Sequence, residues 1–140
     1  MRLVVECQTV DKGRTDTPER ETNMSITHIN PSERMSQATV HNGVAYLAGQ
    51  IAVDAPGASA EAQTRNILAR IDALLAEVGS DKSRMLSATI YLADIGEFGE
   101  MNAVWDAWVE GMAPPARATV EAKLATPDYI VEIVVVATCG

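Results

Sequence analysis

Hydrophobic periodicity along residues 24–140 switches between a strand-like and a helix-like spacing, and the order of the switches leaves few possible folds. Ile26–Asn30, Ala38–His41 and Val44–Ala48 are patterned as short strands, with His41-Asn42-Gly43 supplying an Asn-Gly hairpin turn. Asp54–Gly57 reads as a loop. Ser59 is a candidate N-cap, Ile67, Leu68, Ile71, Leu74, Leu75 and Val78 follow at helical spacing, and Gly79 is placed to end that helix. Met85–Ala93 predicts a strand that is apolar on both faces. Asp94 and Glu97 resemble a capping box, and Phe98, Met101, Trp105, Trp108 and Met112 make a second helical stripe closed by Gly111 and Pro114-Pro115. Arg117–Leu124 and Tyr129–Thr138 predict a final hairpin around residues 125–128. The order is βββ-α-β-α-ββ, for which one layer of helices on one sheet, an α+β fold, is the economical solution.

Residues 9–23 (TVDKGRTDTPERETN) contain one Val and no other large apolar residue. Such a segment cannot bury enough surface to offset its ordering entropy, so 1–23 is expected to be a poorly ordered extension and 24–140 the domain. The chain of 140 residues is 47% hydrophobic and 21% charged, an ordinary globular composition. Only 4% is aromatic, so aliphatic residues and Met must build the core.

The formal charge of −8 argues against nucleic acid and against an anionic membrane as partners, since both are gripped by basic residues. No apolar run approaches the roughly 18 to 20 residues of a membrane span, because Glu132 interrupts the longest, Ile130–Ala137. Leu3-Val4-Val5 is too short for a signal-peptide core. Cys7 and Cys139 form no CxxC pair and are too few for a disulfide framework, which predicts reduced thiols and a cytoplasmic protein.

Metal and nucleophile chemistry find little support. His28 and His41 are the only histidines and lack metal-ligand spacing. The glycines are scattered singly, so no phosphate-cradling loop exists, and no G-x-S-x-G elbow sets a Ser against a base. Asn102 interrupts the second helical stripe and shares a face with residues 98, 105 and 109. It needs partners there, either a neighbouring backbone or a functional group. If 125–128 form the loop of the last hairpin, Arg117 opposes Val136, Thr119 opposes Val134 and Glu121 opposes Glu132. That register puts Arg117, Thr119 and Glu132 on one face with Ile130, Val134 and Val136. Arg117 and Glu132 would then stand roughly 13 Å apart, too far for an ion pair. A carboxylate among aliphatic residues is costly unless paired or functional, so either the register differs or, the preferred reading, each finds its partner in another subunit.

At these residues the chain resembles the Rid (reactive intermediate deaminase), or YjgF, family. The resemblance spans 24–140 and rests on Pro115-Ala-Arg-Ala-Thr-Val120, Val131-Glu-Ile133, Gly49-Gln-Ile51, Asn102 and the element order. It implies a chorismate-mutase-like two-layer sandwich, a homotrimer whose sheets line a central barrel, and ligand clefts between subunits. It further implies cofactor-free hydrolysis of enamines and imines of 2-amino acids, such as 2-aminoacrylate, to 2-keto acids and ammonia, the activity of a 2-iminobutanoate/2-iminopropanoate deaminase. The family's substrate-binding Arg falls on Arg117, its acidic cleft residue on Glu132 and its Asn on Asn102. Met35, Ala48 and Thr119 stand where active archetypes carry Tyr, Ser and Cys. These positions, with Gly49 and the segment Arg34-Met-Ser-Gln37, are expected to shape the pocket. Glu132, with the Thr119 hydroxyl or backbone carbonyls, is expected to hold and deprotonate the attacking water beside the catalytic Arg117. Two other readings remain open: a non-catalytic trimer that binds small carboxylates or proteins, and a ribonuclease or translation inhibitor.

Overall fold

The computed structural model describes residues 25–140, so the expected extension 1–23 lies outside the described residues. Strands β1 (Thr27–Ile29), β2 (Ala38–His41) and β3 (Val44–Leu47) form an antiparallel meander. Asn42 and Gly43 both take positive φ between the paired residues His41 and Val44, which is the twist a tight hairpin demands. β4 (Gln50–Ile51) is a two-residue strand that the sequence pattern did not single out. Helix α1 (Ala60–Glu77) starts where Ser59 Oγ accepts the Ala62 N–H, and Gly79 turns the chain with φ +73° after its last turn. Next come β5 (Met85–Leu92), helix α2 (Phe98–Trp108), β6 (Ala116–Glu121) and β7 (Val131–Thr138). Asp94 caps only a short 3-10 turn by accepting the Gly96 N–H, and Glu97 returns no side-chain bond to complete a box.

The strands form one seven-stranded sheet in the order β1-β2-β3-β7-β5-β6, with β4 also paired to β7. Helix α1 packs on β7, β4 and α2. Ile67, Ile71 and Leu75 of α1 are fully buried with Ile90, Ile133 and Val135 of the sheet, each contributing about 1.5–3 kcal/mol of burial. Among the described residues no helix covers the opposite sheet face, and Tyr46 and Val120 stand on it 51% and 43% exposed.

The expected C-terminal hairpin does not form. β6 pairs in parallel with β5, and β5 pairs antiparallel with β7, so β5 lies between the two strands expected to touch. Residues 122–130 cross over the end of β5, where Ala122 N–H donates to the Leu92 carbonyl and Ala93 N–H to the Ile130 carbonyl. The buried Gln63 amide fixes this crossing, donating to the Asp128 carbonyl at 2.8 Å and accepting the Ile130 N–H at 2.9 Å. Cys139 also departs from expectation: it is 3% exposed and is not a free thiol.

Candidate active site

The true register moves the predicted site residues apart. Arg117 pairs with Ala88 and Thr119 with Ile90, while Ala88 and Ile90 pair with Val135 and Ile133, all on the helix-covered face. Glu132 pairs with Tyr91 and with Ile51, on the open face. The expectation that Arg117, Thr119 and Glu132 share one face is therefore corrected. Arg117 and Thr119 look toward α2, and Glu132 looks away through the sheet.

Arg117 occupies a prepared seat. Its Nη1 donates to Asn102 Oδ1 at 2.8 Å, and since a guanidinium can only donate, the amide must present its oxygen there. Its guanidinium carbon lies 5.8 Å from the Phe98 ring centre and 5.4 Å from that of Trp105. Such contacts are worth about 0.5–1 kcal/mol each and hold a planar cation in place without neutralising it. Phe98, Asn102 and Trp105 are one face of α2, so a single helix supplies the whole seat. Among the described residues the ion pairs are Arg65–Glu61 and Arg70–Asp54, and no carboxylate reaches Arg117. Two residues along β6 on the same side, the Thr119 hydroxyl oxygen is buried without a hydrogen-bond partner. A half-buried forked cation with unused donors, beside an unpartnered hydroxyl, is an anion-binding arrangement.

Glu132 belongs to a second arrangement. Tyr46 faces Val136 and Gln50 faces Ile133, so residues 47, 48 and 49 oppose only 134 and 135. This is a β-bulge, which bends the strand and re-aims its neighbours. Gly49 sits in it against the Glu132 side chain: a Cβ there would lie 3.0 Å from Glu132 Cδ and 3.2 Å from Oε1. Only a residue without a side chain leaves that carboxylate its place. Met35 and Ala48 line an adjoining cavity of about 600 Å³, with His28, Arg34 and Tyr46 among its other walls. Met35 is 46% exposed at the tip of a loop tied by Ser32, whose N–H and Oγ–H both donate to the Met35 carbonyl.

The predicted residues thus gather into two groups. Arg117, Thr119 and Asn102 stand on one side of the sheet, and Glu132, Gly49, Ala48 and Met35 on the other. Phe98 and Trp105 read in the sequence only as core stripe. Their spacing with Asn102 marked the face, but nothing local announced the cation that fills it.

These features define a class: a two-layer α+β protein with a chorismate-mutase-like fold, one sheet face that no described helix covers, and polar groups split between that face and the helix layer. No described helix is long and apolar enough to cross a membrane. Residues 25–139 match the family described as Endoribonuclease L-PSP. The chain belongs to that family, whose members are also titled YjgF, RutC and Rid. A RutC family protein of Haemophilus influenzae is 49% identical over 83% of this chain and 100% of its own length. A YjgF family member from Neisseria meningitidis is 46% identical, with a TM-score of 0.79 over 84% of this chain and 97% of its own. A Rid family protein from Yersinia pestis, titled as of unknown function, is 30% identical with a TM-score of 0.76 over 81% and 99%.

Proposed function

We propose that this chain hydrolyses enamine and imine intermediates of 2-amino acids, such as 2-aminoacrylate, to 2-keto acids and ammonia, at clefts between copies of itself in a homotrimer. The observation that carries the reading is Arg117, seated by Asn102, Phe98 and Trp105 with no carboxylate among the described residues to neutralise it. On a chain of charge −8, long-range attraction cannot collect a small anion, so a local forked donor must do so. Guanidinium offers two parallel N–H bonds that match a carboxylate and fix its orientation.

The enamine first tautomerises to the imine. Water oxygen then bonds to C2 while Glu132 takes one water proton, the C=N electron pair moves to nitrogen, and nitrogen gains a proton. The carbinolamine collapses: its O–H proton passes to the amine, the C–N bond breaks, and ammonia leaves a carbonyl behind. The substrate is already activated, so positioning supplies most of the rate and no cofactor is required. Arg117 and Glu132 face opposite sides of one sheet, which favours a site built from two protomers, and the bare sheet face offers the surface to build it.

The test generates 2-iminopropanoate with an amino-acid oxidase and traps it with semicarbazide, with and without the protein. Faster imine decay, and less semicarbazone, is expected. Unchanged trapping by an intact oligomer refutes the reading. Carboxylate binding without turnover would use Arg117 but leave Glu132 idle, and it would show as binding of 2-oxobutanoate without faster decay. The family description names an endoribonuclease. The net charge of −8 weighs against RNA as a substrate here.

A further inference from the structure

We infer that Gln50 is a positioning residue for Glu132, acting through the Ala48–Gly49 peptide. The inference rests on the deaminase reading for its kinetic consequence, though not for its geometry. Gln50 is 2% exposed, and a buried amide is kept only where its hydrogen-bonding groups are used. Its Nε2 donates to the Ala48 carbonyl at 3.1 Å and to Gln37 Oε1 at 3.2 Å. The Ala48 N–H in turn donates to the Gln37 carbonyl at 2.8 Å, and Gln37 N–H donates to the Ile29 carbonyl at 2.9 Å. Both polar groups of Ala48 are therefore tied, one by a side chain from inside the bulge and one by the neighbouring β-meander.

The carbonyl that Gln50 holds belongs to the peptide that carries the Gly49 nitrogen. Rotation of that peptide would move Gly49, and the space left for Glu132 is already at the limit of contact, 3.0 Å from an added Cβ to Glu132 Cδ. The bulge interrupts the β-ladder where ordinary strand hydrogen bonds would otherwise set the geometry. Gln50 supplies the missing restraint from the buried side, and the carboxylate receives its position on the open side. Arg117 and its seat lie on other elements, so carboxylate binding is outside Gln50's reach.

The experiment compares wild type with Gln50→Met on 2-iminopropanoate. Displacement of a catalytic group by about 1 Å can cost on the order of 100-fold. A fall in kcat of about 10- to 100-fold is therefore expected, with KM and the affinity for 2-oxobutanoate unchanged within about twofold. Gly49→Ala, which crowds Glu132 directly, is expected to lower kcat as well. A folded Gln50→Met protein with full kcat overturns the inference, as does a parallel loss of kcat and 2-oxobutanoate affinity, which marks general loosening. If Gln50→Met does not fold, Gln37→Met decides: a selective fall in kcat supports the role and unchanged kcat overturns it. If wild type hydrolyses no imine, the proposed function fails, and the Glu132 carboxyl 13C resonance decides the positioning question. Its displacement in Gln50→Met upholds the role, and an identical resonance ends it.

Discussion

Because Arg117 and Glu132 face opposite sides of the sheet, two inactive variants are expected to repair each other when their chains mix. Arg117→Ala removes the two proposed charge-assisted hydrogen bonds to the substrate carboxylate, about 1.5–3 kcal/mol each. Together these correspond to about 10²- to 10⁴-fold in kcat/KM. Glu132→Gln removes the proposed base, with an expected cost of about 10²- to 10⁴-fold. Each pure variant should therefore retain less than about 1% of wild-type activity. A cleft that takes Arg from one protomer and Glu from its neighbour is intact when both donors are sound. In an equal, random mixture that holds for half of the Arg donors and half of the Glu donors, so about a quarter of wild-type activity should return in the whole mixture and about a third in mixed trimers, where one cleft of three is intact. The assay is co-refolding of the two variants, one tagged, with capture of mixed oligomers and then the coupled imine-decay measurement. Mixed oligomers no more active than the two pure variants would refute a shared cleft.

Arg117→Lys keeps the charge and loses the fork and the fit over two rings. The loss of one charge-assisted bond predicts a fall of about 10- to 100-fold in kcat/KM, and activity within about twofold of wild type would refute bidentate binding. A pH prediction concerns Glu97, whose carboxyl is raised above the usual range by desolvation first and then by the nearby charges of Glu100 and Asp94. A raised folded-state value means that the ionised form opposes folding. The penalty is absent below the unfolded-state value, grows as pH rises toward the folded-state value, and is complete above it. Glu97→Gln should therefore raise Tm at pH 7, and by less as pH falls through the carboxylate range, measured by calorimetry. An equal gain at every pH would remove the electrostatic account.

Local signals marked the elements that local chemistry determines. Asn42-Gly43 marked the hairpin because few other pairs take positive φ twice, and Ser59 and Gly79 bracketed α1 for equally local reasons. The partner of β6 was not local. A strand's composition says how buried it is rather than which strand lies beside it, and adjacency in sequence made a hairpin the natural assumption. The contrary signal was present. β5 and β7 are apolar along the covered face and half-buried along the other, as central strands are. β6 offers the covered face only Arg117, Thr119 and Glu121, as an edge strand can. Pairing two central strands with each other and leaving the polar one outside gives the observed order. The Gly49–Glu132 contact had no comparable signal, because it depends on a bulge that offsets two strands by one residue.

The split between faces also has an energetic consequence for the proposed chemistry. An Arg and a Glu on one face of one strand pair, free to approach, would form an ion pair, and the anion site would be closed by its own base. A substrate would then have to break a desolvated pair before binding. With a sheet between them the two charges in one protomer cannot meet. Arg117 is held instead by neutral partners, an amide oxygen and two aromatic rings, that leave its charge intact. Where a neighbouring protomer brings its Glu132 to the same cleft, the separation is set by the packing of two rigid sheets rather than by two flexible side chains. That separation can remain wide enough for a carboxylate, a C=N carbon and one water to lie between them. Assembly then supplies the distance that a single chain could not maintain.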